Sequence, residues 1–214
     1  MKITKLGHCC LVVEPKPGVR IMIDPGSYTV EEQLKEKNID LILITHEHSD
    51  HCHVDSLKKI VAQNPTIKVI TNTAVGEILK KESIKFEILE DGGIIHFKNI
   101  PIEGCGKIHD LAYPGIPQLM NTGYLIDNYF FYPGDALYDP KRKIEVLATP
   151  LLGSWVCFRN GIDYVKKVNP RSAFGVHDGY LKEGVKWFHE APQRILKESG
   201  IDFRILKLGE VEDF

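Results

Sequence analysis

The sequence predicts an α+β fold, two sheets covered by helices, and three observations carry that expectation. Short strand-like runs joined by tight turns recur in both halves of the chain, and helical segments interrupt them in both. The 214 residues, 43% of them hydrophobic, suffice for one sizeable core and are short for two, so residues 1–214 are expected to form one domain. Glycine and proline punctuate the chain evenly, and no linker, fixed short repeat or low-complexity segment divides it.

Element by element, strands are expected at Ile3–Leu6, Cys10–Glu14 and, after the Pro15–Gly18 turn, Val19–Ile23. The polar stretch Val30–Asn38 reads as a helix. Asp40–Thr45 reads as a strand buried on both faces, because its aliphatic run is unbroken. A helix begins at His53 and is ended by Pro65. Strand Lys68–Thr71, helix Ala74–Ser83 and strand Lys85–Leu89 follow, with Asp91-Gly92-Gly93 as a hairpin turn. The second half repeats the theme with strands Ile94–Lys98, Ile100–Glu103, Thr122–Ile126, Tyr129–Tyr132, Ile144–Ala148 and Ala173–Val176. Helices are expected over Gly161–Asn169 and Glu183–Glu198, the latter broken or restarted by Pro192, before a last strand, Asp202–Leu208.

Charge and composition remove several classes of function. The net charge is −2 and no basic run tracks a phosphate backbone, so nucleic acid is not an expected partner. The opening apolar stretch is interrupted by Gly7 and His8 and lacks a small-residue cleavage site, so it reads as a first strand rather than a signal peptide. No apolar run approaches the roughly 20 residues of a membrane helix. The five cysteines are odd in number and contain no C-x-x-C pair, which points to reduced thiols and a cytoplasmic protein. Cys9 and Cys10, neighbours on a strand, should face opposite sides and serve packing.

Chemistry concentrates in "LILITHEHSDHCH", Leu41–His53, where four histidines and an aspartate fall within eight positions at the end of a buried strand. In extended backbone, residues two apart point the same way, so His46 and His48 can aim at one point. Once the chain turns, Asp50 and His51 face another. Two donors per metal are too few, since zinc takes three or four protein ligands. The missing donors should come from other strand ends, where His109, Asp135 and His177 lie. A carboxylate can bridge ions roughly 3.5–4 Å apart, which a neutral imidazole cannot. The simplest assignment places His46, His48 and His109 on one ion and Asp50, His51 and His177 on the other, with Asp135 bridging. His53, His96 and His189 are read as ordinary core or surface histidines.

This order and spacing resembles the metallo-β-lactamase superfamily over nearly the whole chain. H-x-H-x-D-H is matched by His46, His48, Asp50 and His51, and the later positions by His109, Gly134–Asp135 and His177. "LGHCCLVVE" resembles the family's opening strand and "IMIDPG" its strand ending in Asp-Pro. The resemblance implies a four-layer αββα sandwich with metals at one edge between the sheets. It also makes Asp24 a carboxylate that orients a ligand histidine, and His8 a residue typical of the ascorbate-6-phosphate lactonase-like branch.

The expected cofactors are two divalent ions, zinc as first choice with manganese or iron(II) as alternatives. Two such ions, Asp50, Asp135 and one hydroxide sum to a formal charge of about +1, which favours a small anionic substrate and developing negative charge. The expected reaction is attack by a metal-bridging hydroxide on an ester, lactone or phosphodiester, with Asp50 and Asp135 as the catalytic carboxylates. Tyr28, Tyr113, Leu119, Trp155, Phe158 and Tyr180 are the candidate pocket residues, and the apolar segment 109–123 is expected to cover the site. The alternatives are a mononuclear-iron oxidoreductase resembling persulfide dioxygenases and a non-catalytic metal-binding module. The resemblance is compatible with a homo-oligomer, which the sequence itself does not specify.

Overall fold

The computed structural model describes residues 1–182 and 185–214, and builds two seven-stranded sheets. The first contains β1 (Lys2–Gly7), β2 (Cys10–Glu14), β3 (Ile21–Ile23), β4 (Leu41–Ile44), β5 (Lys68–Thr71) and β6 (Glu87–Ile88). The C-terminal strand β14 (Val211–Asp213) returns to pair with β1 at its edge. The second sheet contains β7 (Ile94–Phe97), β8 (Ile100–Cys105), β9 (Gly123–Ile126), β10 (Phe130–Tyr132), β11 (Val146–Pro150), β12 (Ser172–Val176) and β13 (Asp202–Arg204). In each sheet an antiparallel hairpin portion runs into a parallel portion, β3 to β6 and β10 to β13.

Three apolar clusters separate four layers. Alternate residues of both sheets, among them Leu11, Ile23, Leu43, Ile102, Tyr124, Phe130 and Phe174, face one another in the central cluster. The opposite face of the first sheet packs on α2 (Val54–Gln63) and α3 (Thr73–Lys81) through Ile42, Val69, Leu57 and Leu79. The outer face of the second packs on α4 (Phe158–Val168) and α5 (Trp187–Lys197) through Leu147, Ala173, Val165 and Leu196. A short α1 (Val30–Lys35) follows a 3₁₀ turn at Ser27–Thr29. The αββα sandwich expected from the sequence is present. Among the described residues, no helix is long and apolar enough to cross a membrane, and all five cysteines are free.

Several local expectations need correction. Asp91-Gly92-Gly93 is not a hairpin turn, because β6 and β7 belong to different sheets; it carries the chain across the sandwich. Two-residue turns with both φ positive occur instead at Lys98-Asn99 and Asp127-Asn128, where the tight β7–β8 and β9–β10 connections need them. The helix containing Pro192 is neither broken nor restarted: α5 runs through it, its buried face held on β13 at the cost of one backbone hydrogen bond. The expected start of that helix at Glu183 lies outside the described residues, and the helix begins at Trp187. The strand expected at Ile144–Ala148 is displaced to Val146–Pro150, and the last predicted strand stops at Arg204.

Strand direction positions the site. The parallel pairing of β3 with β4, and of β10 with β11 and β12, places their carboxyl ends on one edge of each sheet. Hydrogen bonds cross between the sheets there: Thr122 N donates to Thr45 O (3.0 Å), Tyr124 Oη to Ile44 O (2.8 Å) and His177 N to His8 O (3.1 Å).

Candidate metal centre

Six segments deliver side chains to that edge. His8 and Cys9 come from the β1–β2 turn, Asp24 from the end of β3, and His46, His48, Asp50 and His51 from the loop after β4. His109 follows β8, Asp135 follows β10 and His177 follows β12. The loop after β4 is clamped by the Asp24–Gly26 turn. Ser27 N donates to Ser49 O (2.8 Å) and His53 N to Pro25 O (3.0 Å). Gly26 lies so close that an added Cβ would meet Asp50 O at 1.7 Å and Asp50 C at 2.1 Å. Gly26→Ala is therefore expected to displace the Asp50–His51 backbone and lose metal. The check is metal content beside a melting curve; a variant with wild-type metal content would remove the clamp. Gly134, just before Asp135, has φ +64°, and a Cβ there would meet Asn121 Oδ1 at 2.3 Å.

Hydrogen bonding fixes the histidine tautomers. His51 Nδ1 donates to Asp24 Oδ2 (2.7 Å), and His109 Nδ1 to the carbonyl of Asp110 (2.6 Å). His177 Nδ1 donates to the carbonyl of Leu152. Thr45 Oγ1 gives its proton to Asp24 Oδ2 (2.7 Å), so it accepts from His46 Nδ1 (3.0 Å). Each of these four rings, in its neutral form, therefore presents an Nε2 lone pair, the arrangement used to orient metal-binding imidazoles.

Those lone pairs converge on a carboxylate. Asp135 Oδ1 lies 3.2 Å from His51 Nε2, and its Oδ2 lies 3.0 Å from His177 Nε2, 3.3 Å from His109 Nε2 and 3.7 Å from His46 Nε2. Asp50 Oδ2 stands 3.7 Å from His177 Nε2 and 3.9 Å from His51 Nε2. His48 joins through Nδ1, 3.0 Å from His46 Nε2. His51 Nε2, His109 Nε2 and Asp135 Oδ1 are all buried without a hydrogen-bond partner. Lone pairs facing carboxylate oxygens at such distances repel unless positive charge lies between them. Divalent ions satisfy every one of these groups at once, so the donor set fits metal.

The anions around His51 favour positive charge at its ring, whether a proton or a cation supplies it. Burial would drive His51 towards its neutral form, but Asp135, Cys9 and Asp24 hold its pKa well above the usual range. Burial and the neighbouring His51 push His46 well below it. Burial would raise Asp135, yet His51 and His46 keep its carboxyl well below the ordinary carboxylate range.

Donor atoms of His46, His48, His109 and Asp135 all lie within 4.8 Å of one another, as do those of His8, Cys9, His51 and His177. The first group contains the three histidines assigned to one ion, together with Asp135. The second brings in Cys9, which the sequence assigns to packing. Cys9 does face opposite to Cys10, but towards the histidines: Cys10 packs under the helices and Cys9 between the sheets.

The surrounding shell is partly legible in the sequence. Asp24 is fully buried and accepts from Thr45 N (2.8 Å), Thr45 Oγ1, His51 Nδ1 and Tyr132 Oη (2.8 Å). His8 Nδ1 accepts from Gly179 N (3.0 Å), so Nε2 carries the proton and donates to Asp50 Oδ2 (3.0 Å). His8→Asn keeps a side chain tolerant of the positive φ (43°) but too short to reach Asp50. It is expected to weaken retention of one ion at least about tenfold in competition with a chelator. Unchanged retention would make His8 a packing residue. Sequence reasoning misses Thr45, Asn121 and the part of Cys9. Asn121 Oδ1 accepts from Asp135 N (3.0 Å) and its amide donates to Pro133 O (2.8 Å), which fixes the Gly134–Asp135 turn.

Of the candidate pocket residues, Trp155 donates its indole N–H to Asp135 Oδ2 (3.1 Å), and Tyr180 Oη stands 3.4 Å from Asp50 Oδ2. Leu119 lines a cavity beside His48 and His109. Tyr28 stacks on His8 with ring centroids 4.5 Å apart. Two fall elsewhere. Tyr113 is 70% exposed and lines neither cavity at the site. Phe158 opens α4 and turns to Trp187 and Phe188 of α5, because the helix packs that face against its neighbour. His53 caps α2, accepting from Ser56 N, and has no part in the cluster.

A family model described as the beta-lactamase superfamily domain matches residues 2–177. The chain is similar to a UPF0173 protein of Pyrococcus abyssi, 32% identical, with 87% of this chain and 89% of that protein covered. It is 26% identical to a UPF0173 metal-dependent hydrolase of Thermoplasma acidophilum, with 83% of each covered. Among solved structures it resembles Igni18, a metallo hydrolase from Ignicoccus hospitalis, with a TM-score of 0.76 at 22% identity, covering 100% of this chain and 98% of that one.

Proposed function

The chain belongs to the beta-lactamase superfamily, and from that premise we propose that it is a metal-dependent hydrolase acting on a small ester, lactone or phosphodiester. The observation that carries the reading is the set of four buried imidazoles with Nδ1–H committed and Nε2 turned towards Asp135. His46, His48 and His109 would hold one divalent ion, Asp50, His51 and His177 a second, and Asp135 would bridge them. Zinc is the first choice, with manganese or iron(II) as alternatives. When bound, such ions supply a water acidified to a pKa of about 7 and a Lewis acid for the developing oxyanion.

The protein's own groups do the positioning. His8 occupies Asp50 Oδ2, which leaves Asp50 Oδ1 to hold the attacking water or take its proton. Trp155 fixes the rotation of Asp135 through its N–H. Partial burial and the charge of Asp50 raise the Tyr180 pKa, so the phenol stays protonated and serves as a donor at the rim.

Metal analysis of the purified protein, coupled to a panel of lactones, esters and phosphodiesters, tests this. Two divalent ions per chain are expected, with turnover that a chelator abolishes and zinc or manganese restores. One iron per chain with oxygen consumption and no hydrolysis would overturn the reading.

A further inference from the structure

Beside the metal-facing cleft lies a second cavity of about 390 Å³, within the range of small-molecule sites. The two share His48 and Ser154 in their walls, and His109 lines this one alone, so a molecule held here lies beside two of the candidate metal ligands. Its remaining wall comes from the segment after β8. That segment leaves and returns as a flap, pinned by Asn121 N to Lys107 O (3.1 Å) and His109 N to Leu119 O (2.9 Å). The flap lines the cavity with Leu111, Ala112, Ile116, Pro117 and Leu119. Leu111 and Ile116 are about half exposed, at 47% and 53%, and line the same wall as Pro117 and Leu119, an apolar patch rather than isolated exposure.

Two polar groups of this wall are engaged by the backbone. Asp110 Oδ2 accepts from Leu137 N (2.8 Å), and Gln118 Nε2 donates to His109 O (3.0 Å). Among the described residues, neither this cavity nor the cleft over Asp50 and Asp135 is lined by a lysine or arginine. A substrate with a free phosphate or carboxylate on its distal arm would find no countercharge here. A hydrocarbon arm would bury itself against five apolar residues.

Resting on the hydrolase reading above, we propose that the substrate is an uncharged carboxylic ester or lactone whose apolar acyl or alkyl arm lies under the 107–121 flap. This departs from the anionic substrate expected from the formal charge of the site: negative charge develops only at the reacting carbonyl, and the substrate carries none beforehand.

The test is a chain-length series on the metal-loaded protein: acetate, butyrate and octanoate esters of one alcohol, with a carboxylate-terminated ester matched in length to the octanoate. Burial of each methylene is worth about fourfold. kcat/KM should therefore rise at least about tenfold from acetate to butyrate and further to octanoate, and fall back for the charged ester. Ile116→Asn should lower the octanoate-to-acetate ratio about tenfold. Binding of free octanoate and acetate by calorimetry gives a readout independent of turnover, and octanoate should bind at least about tenfold tighter. Turnover with a flat length dependence overturns the arm assignment and leaves the hydrolase reading intact. Absence of ester turnover with tighter octanoate binding overturns the ester assignment and keeps the cavity's ligand class, and the panel above then decides the hydrolase reading separately. Absence of both overturns the ester assignment and the arm assignment together.

Discussion

Asp135→Ala is expected to strip metal and activity together. The side chain is 2% exposed and, among the described residues of the cluster, is the only group with an oxygen within 4 Å of His46, His51, His109 and His177 alike. Removing it takes away the shared anion for four lone pairs and one indole donor. Metal content should fall from two ions per chain to one or fewer. Loss of Lewis-acid stabilisation worth several kcal/mol should lower kcat/KM by roughly a thousandfold or more. Elemental analysis and ester turnover on one preparation check this. Full occupancy with full activity would end the bridging role, while full occupancy with lost activity would reassign Asp135 to chemistry alone.

Asp24→Asn should be the most damaging isosteric change in the molecule. Oδ2 of Asp24 accepts from Thr45 Oγ1, His51 Nδ1 and Tyr132 Oη, and Oδ1 from Thr45 N. An asparagine must turn its NH₂ towards either three donors or one, so at least one fully buried donor loses its acceptor. The His51 tautomer loses its anchor, which should weaken metal binding about 10- to 100-fold. Breaking a buried charged network costs about 3–5 kcal/mol, a fall in melting temperature on the order of 10 °C for a chain of this size. Chelator competition and thermal melts read the two effects separately. A D24N variant that keeps wild-type affinity and melting point would reduce Asp24 to a turn former.

The donors of this centre are legible in the sequence because their signal is local. His46 and His48 follow from a two-residue period, and Asp50 and His51 from the turn beyond it. His109, Asp135 and His177 stand just past apolar runs that have to be strands. What supports them is not legible. Thr45 and Asn121 look like ordinary polar residues, and their roles depend on which donor or acceptor a distant strand brings within about 3 Å. Cys9 does face opposite to Cys10, yet that alternation, and the turn in which Cys9 sits, do not say what the opposite sheet places there. The same limit explains the fold errors. Asp91-Gly92-Gly93 carries every mark of a hairpin, and only the pairing of β6 and β7 with different partners makes it a crossover. Pro192 breaks an isolated helix, but packing against the second sheet outweighs one lost hydrogen bond.

The cluster straddles a seam. His46, His48, Asp50 and His51 hang from the first sheet, whereas His109, Asp135 and His177 hang from the second. Bound cations would thus act as rivets between halves that otherwise meet at this rim through a few crossings, such as Thr122 to Thr45 and Tyr132 to Asp24. Free cation concentration then becomes a dial on how often the rim gapes, through mass action on the closed form. Amide exchange at Thr45, Thr122 and Asp135 should quicken on chelation, while exchange in the central strands far from the rim stays slow.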